Sequence, residues 1–172
     1  MIKIIGACVT LGACATMGFT WAGVYEKRPQ QLIYLGQGLQ LLETEILYGA
    51  TPLPEAMEQV AANCSPEVSG FFSCTAAELR RMEGLTAGEA WDRAIARYSV
   101  KTALAKKDLH ILRRFGVSLG ASDREDQAKH LKVALSQLKL AAAEAEAAAR
   151  KNATVYRYLG FLGGLLLVMI LY

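Results

Sequence analysis

The stretch Gly49-Ala50-Thr51-Pro52-Leu53-Pro54-Glu55-Ala56 decides how this chain folds. It reads as a helix stop followed at once by a helix start. Glycine reaches the left-handed conformation that ends many helices without steric cost, which assigns Gly49 to the stop. Thr51 is placed to cap the next helix through its hydroxyl. Pro52 suits a first helical position, where its missing N–H would be unbonded anyway. Apolar residues at helical spacing lie on both sides: Leu32, Leu35, Leu39, Leu42 and Ile46 before, Leu53, Met57, Val60 and Ala61 after. The stretch is therefore a tight corner between two packed helices.

Two more corners follow. In Gly84-Leu85-Thr86-Ala87-Gly88-Glu89-Ala90, Thr86 and Glu89 stand three apart, as a capping box requires. Gly120 stops a later helix, and Ser122 and Glu125 form a further box, with Asp123 and Asp126 suited to the positive end of the helix dipole. The helices between them can be placed in order. Pro29 opens the first. Ser65-Pro66-Glu67 opens the third, whose inward face is Val68, Phe71, Phe72, Thr75, Leu79 and Met82. Trp91, Ala94, Ile95 and Tyr98 mark the fourth, and the fifth runs from about Thr102 to Leu119. The sixth carries Ala128, Leu131, Leu135, Leu138, Ala142, Ala145 and Ala149 at alternating steps of three and four. Its seam turns from leucine to alanine, so its later part reads as a stalk leaving the bundle. From Asp123 to Arg150 it spans roughly 40 Å at the usual helical rise. No alternating run bounded by hairpin turns occurs. The expected fold is all-α: a six-helix antiparallel bundle, since the connections are short.

The apolar content, 53%, exceeds that of ordinary soluble domains, and the excess sits at the two ends. Residues 1–25 and 155–172 each approach the length needed to cross a membrane as a helix, and residues 26–154 hold almost all the charge. The bundle is thus expected between N- and C-terminal transmembrane helices. Lys27 and Arg28 follow the first apolar segment, and Arg150, Lys151 and Arg157 precede or begin the second. The positive-inside rule then places the bundle in the cytoplasm. A cleaved signal peptide and a lipoprotein signal at Leu11-Gly12-Ala13-Cys14 are rival readings. The first lacks a small-x-small site after the apolar run, and the second lacks a polar tether after Cys14. Gly12, between Cys8 and Thr16, and the pair Gly160 and Gly164 repeat small residues every four positions, a spacing that lets membrane helices approach closely and that suits a homo-oligomer.

Chemistry is sparse. The chain has no phosphate-binding glycine loop after a strand, no zinc-peptidase helix and no serine-hydrolase elbow. His110 and His130 lie on different helices among charged neighbours. Cys64 and Cys74 stand ten apart with no histidine in register for zinc. Glu43, Glu45, Glu55 and Glu58 do not converge at helical spacing. The net charge of +3 is mixed in sign and does not argue for nucleic acid. Catalytic residues, cofactors and metals are accordingly not expected. The paired bases Arg80-Arg81, Lys106-Lys107 and Arg113-Arg114 are either solvated surface or a docking face for an acidic partner or for lipid headgroups.

The corners also carry a resemblance. Leu42 to Met57 looks like the helix turn of the inner-membrane platform proteins of type II secretion and type IV pilus systems. The whole chain resembles the stage III sporulation protein AB family of endospore-forming bacteria. The resemblance runs through Thr51-Pro52-Leu53-Pro54-Glu55-Ala56-Met57, Gly84-Leu85-Thr86-x-x-Glu89-Ala90-Trp91 and Leu119-Gly120-x-Ser122-Asp123-Arg124-Glu125-Asp126-Gln127. It implies a non-enzymatic platform in the mother-cell membrane facing the forespore, with a cytoplasmic secretion-type ATPase and other sporulation channel components as partners. Secretion platforms usually have two such domains; this chain has one, and a homodimer would supply the second.

Overall fold

The computed structural model describes residues 27–49, 51–81, 84–120 and 123–171, the side chains of 124 and 152–171 excepted. Six α-helices and no strand occur among these residues: α1 (27–44), α2 (Leu53–Asn63), α3 (Pro66–Arg80), α4 (Ala87–Ser99), α5 (Lys106–Ser118) and α6 (Arg124–Leu171). Gln30–Ala142 is one compact unit, and the flanking segments, Met1–Pro29 and Ala143–Tyr172, group apart from it.

Within Gln30–Ala142 the helices run antiparallel, as the cross-links between them require. Gln31 at the start of α1 accepts from the Thr102 hydroxyl at 2.7 Å and the Ala103 N–H at 2.8 Å, in the loop between α4 and α5. Tyr98 near the end of α4 donates to the Glu67 carbonyl at the start of α3. At the opposite end, Arg80 at the close of α3 reaches Glu58 of α2. Three connections therefore lie at one end of the unit, α1 to α2, α3 to α4 and α5 to α6. The chain enters and leaves at the other.

The core follows from the leucine stripe of α1. Leu32, Leu35, Leu39 and Leu42 are buried, as are Met57 and Val60 of α2 and Phe71 and Phe72 of α3. Aromatic rings fill the centre: Phe71 meets Trp91 edge-on at 4.6 Å between centroids, and Trp91 meets Phe115 at 5.3 Å. Edge-to-face pairs of this kind add to what burial alone provides. The approach is close because Gly38 lies under the Phe72 ring, where a Cβ would come within 2.7 Å of its Cζ.

Several sequence expectations need correction. Helix α1 is already formed at Lys27, so Pro29 lies inside it and does not open it. The first corner is not a left-handed glycine stop. Helix α1 widens into a π turn, Glu45–Gly49, and among the described glycines only Gly84 and Gly120 have positive φ, +73° and +74°. Thr51 does not cap α2, and Pro52 is not its first residue. Pro52 takes the cap position with ψ 141°, and the helix starts at Leu53 with Pro54 in its first turn. The reason is stoichiometric: prolines 52 and 54 remove two of the four N–H groups that a helix start leaves unbonded, so a side-chain cap has less to satisfy. The fifth helix starts at Lys106, four residues later than expected, because Thr102 and Ala103 are spent on Gln31. The later part of α6 does leave the Gln30–Ala142 unit, as its alanine seam indicates. Helix α6 continues unbroken to Leu171, and Ala141, Ala142, Ala145 and Ala149 are all buried.

Among the described residues no helix is long and apolar enough to cross a membrane. The expected span at residues 1–25 lies outside the described residues. Of the expected span at 155–172, only the helical backbone up to Leu171 is described.

Candidate functional site

The corner end carries the sharpest local geometry. At α4 the capping box is complete: the Thr86 hydroxyl accepts from the Glu89 N–H at 3.3 Å, and the Glu89 carboxylate accepts from the Thr86 N–H at 2.8 Å. The backbone N–H of Thr86, then its hydroxyl, hold the Glu89 carboxyl below its ordinary value of 4.5. Gly84, in the left-handed region, turns the chain into this cap. At α6 the cap is shifted by one residue from the expected Ser122 and Glu125. Asp123 accepts from the Asp126 N–H at 2.8 Å, which makes Asp123 the cap; Glu125 is exposed in the first turn, and Ser122 lies outside the described residues. Pairing with Lys129 at 2.8 Å lowers the Asp126 carboxyl and raises the Lys129 ammonium.

The first corner is tied by a carboxylate. Glu45 accepts from the Thr51 hydroxyl at 3.2 Å, and it accepts from Gln59 at 3.0 and 3.1 Å when that amide's nitrogen is turned toward it. Gly49 lies beneath this network, where a Cβ would sit 2.6 Å from Glu45 Oε2.

The start of α4 and the end of α5 enclose a groove of about 490 Å³, lined by Thr86, Gly88, Glu89, Asp92, Arg113, Val117 and Gly120 among others. Its narrowness comes from glycine on both helices. A Cβ on Gly88 would stand 2.8 Å from the Gly116 carbonyl oxygen, and Gly116 itself lies against the Trp91 indole. Val117 is 79% exposed at the rim, where Arg113 and Asp92 approach to 3.8 Å. The groove thus combines an apolar rim residue with two carboxylates, Glu89 and Asp92, and one guanidinium, Arg113. A second, smaller groove of about 330 Å³ lies between α1 and α6, with Ile33, Gly36, Gln40, Leu135 and Lys139 in its lining.

The candidate docking arginines are not brought together. Arg113 lines the groove, whereas Arg80 pairs with Glu58 at 2.7 Å and Arg81 lies 3.4 Å from Glu78. Arg114 is exposed on the next face of α5. His110 and His130 are exposed on separate helices, and no group of acids, histidines and cysteines capable of holding a metal occurs among the described residues. Gly12 lies outside the described residues, and of Gly160 and Gly164 only their place in α6 is described.

Glu78 was missed by sequence reasoning. It is 1% exposed, with Arg97 at 2.7 Å, Arg81 at 3.4 Å and Arg93 at 3.6 Å. These are contacts between charges: neither carboxylate oxygen completes a hydrogen bond. The signal was present. Glu78 stands three residues beyond buried Thr75, on the inward face of α3, and Arg93 and Arg97 repeat at one helical turn.

Comparison with known proteins places the chain. The family description Stage III sporulation protein AB matches residues 3–172. The chain belongs to the stage III sporulation protein AB family. It is 39% identical to the stage III sporulation protein AB of Bacillus subtilis (strain 168) over 171 residues, covering 99% of both chains. A solved structure of stage III sporulation protein AB superposes with a TM-score of 0.68 at 37% identity, covering 72% of this chain and 97% of that one. The family is named for sporulation and not for a reaction.

Proposed function

We propose that this chain is a non-enzymatic platform component of a sporulation channel complex, anchored by membrane helices at residues 1–25 and 155–172. Residues 26–154 form its cytoplasmic domain. There it couples a secretion-type ATPase to the membrane assembly, as it would in the mother-cell membrane facing the forespore. One observation carries this reading. The three corners gather at one end of the Gln30–Ala142 unit, beside the groove of α4 and α5, while the chain enters and leaves at the other. A partner meeting the corner end therefore leaves the ends of this unit, Gln30 and Ala142, uncovered. Family membership supports the sporulation setting.

The test is co-purification of the full-length protein with the ATPase of the complex, comparing wild type with Val117→Arg and Arg113→Glu. Both substitutions fall on exposed groove positions, so the fold should survive. Loss of the ATPase from both variants, with membrane assembly intact, is the expected result. Undiminished recovery from both removes the groove as the contact.

A second reading, a static assembly adaptor with no ATPase contact, is favoured by the internal pairing of Arg80, Arg81 and Arg113. Bases engaged within the fold are less available to steer a moving partner. Failure of wild type itself to recover the ATPase, under conditions where the channel complex assembles, would select this reading.

A further inference from the structure

The loop from α4 to α5, residues 100–105, is held from within. The Gln31 side-chain oxygen accepts from the Thr102 hydroxyl and from the Ala103 N–H. The Lys101 N–H donates to the Tyr98 carbonyl, the Leu104 N–H to the Thr102 hydroxyl, and the Ala105 N–H to the Asp108 carboxylate. With these amides engaged, the loop presents its side chains in fixed directions. Val100 at its start is 84% exposed, more than any other large apolar side chain among the described residues. Lys101 follows it and Lys106 stands just past the loop's end; both are exposed, and neither makes an ion pair among the described residues. A lone exposed valine is ordinary surface. Its place at the end where the chain enters and leaves the unit gives this one a direction.

We infer that this loop seats on an anionic lipid surface, with Val100 entering the headgroup boundary and Lys101 and Lys106 meeting lipid phosphates. The inference rests on the reading of residues 1–25 as a membrane anchor. That segment ends two residues before α1 begins at Lys27. Gln31, which holds the loop, lies four residues farther on, about 6 Å of helical rise. The loop is thus tied to the part of α1 next to the anchor. Its charge has the sign that anionic headgroups attract. In the two connections at this end, residues 63–67 and 100–107, Lys101, Lys106 and Lys107 stand against one exposed acid, Glu67. An apolar tip between lysines suits an interface, because long basic stems keep their ammonium groups at the phosphates while the apolar side chain enters. The corner end differs in this respect: Val117 is as prominent there, but Glu89 and Asp92 line the groove beside it, and carboxylates are repelled by an anionic surface.

The test uses full-length protein reconstituted into vesicles of phosphatidylcholine brominated on the upper acyl chain, with and without phosphatidylglycerol. Bromine quenches tryptophan fluorescence at close range. The wild-type chain has two tryptophans, Trp21 in the anchor segment and Trp91, which is fully buried in the core. Quenching of wild type therefore reports on the anchor. Val100→Trp should add quenching in vesicles that contain phosphatidylglycerol, and Val117→Trp, at the other end, should add none. Lys101→Glu/Lys106→Glu in the Val100→Trp background should lower the added quenching about twofold or more. If wild type is quenched and Val100→Trp adds no more than Val117→Trp, the loop contact is overturned and the anchor stands. Added quenching that is indifferent to both phosphatidylglycerol and the lysine reversal overturns recognition of anionic lipid. A wild type that is not quenched removes the anchor and this inference together.

Discussion

The indole N–H of Trp91 donates to the backbone carbonyl of Leu112 at 2.8 Å, joining α4 to α5 through a buried side chain. The bond fixes the ring over Gly116, where a Cβ would stand 3.1 Å from the indole Cγ and nearer still to Cδ1. Hydrogen bond, ring packing with Phe71 and Phe115, and missing side chain are one arrangement, and the groove wall depends on it.

Gly116→Ala should therefore destabilise by about 1–3 kcal/mol through overpacking, since the indole has no free direction in which to yield. Trp91→Phe should cost a comparable amount, from the lost donor and the smaller ring. Urea denaturation of both variants checks this. The two costs should not add, because the smaller ring of the double variant leaves room for the methyl.

The positive-φ corners rank themselves. Gly120→Ala should cost more than Gly84→Ala, because the added Cβ at 120 would also meet the Ala87 Cβ at 2.9 Å, whereas Gly84 has open space. The left-handed conformation alone sets a penalty of about 1–2 kcal/mol for each. Gly49→Ala should cost least, since its φ is not positive and only side-chain ends crowd it. Thermal melting of the three variants in parallel gives the order.

Glu78 should behave unlike an ordinary paired acid. Its arginines are half-exposed and can return to water, so Glu78→Met should lie within about 1 kcal/mol of wild type. Arg93→Ala/Arg97→Ala instead strands a buried carboxylate beside Arg81 alone, and should cost about 2–4 kcal/mol. Chemical denaturation compares them; a larger loss from Glu78→Met than from the arginine pair would refute this account.

Acid should loosen the α4 cap. The Thr86 N–H and hydroxyl hold the folded Glu89 pKa below 4.5, so this carboxylate contributes stability that is present above its unfolded value and is lost as pH falls through the folded one. Asp126 acts in the same direction below 3.8, whereas the raised Lys129 contributes below 10.5 and loses its share at higher pH. The urea midpoint should fall between pH 5 and about pH 3, and Glu89→Gln should make that fall shallower. Thr86→Ala removes the acceptor for the Glu89 N–H and should cost about 1 kcal/mol at neutral pH.

Much of the fold was legible because it depends on local patterns. The leucine stripe of α1 and the aromatic face of α3 are inward at the positions their periodicity indicates. Legibility failed where two local rules competed. At Thr51-Pro52 the cap rule and the proline rule both applied, and the loss of two N–H groups prevailed. At Ser122-Asp123 two capping residues stood side by side, and only the fold decides which amide faces which acceptor. Glu78 was hidden for a different reason: burial of a carboxylate becomes tolerable only when arginines from another helix arrive, and α4 lies beyond a corner in the sequence. The groove likewise has no linear signature, since Gly88 and Gly116 matter through their approach to one another.

The π turn at Glu45–Gly49 has a consequence for the length of the chain. A π turn holds one more residue than an α turn over the same span. The buried leucine phase of α1 ends at Leu42, just before this turn, and Tyr48 within the turn is 82% exposed. Losing a single residue between Glu45 and Gly49 would restore an unbroken α-helix and rotate the chain that follows. The stretch is thus an expansion joint, the place in α1 where one residue more than an α turn needs is taken up.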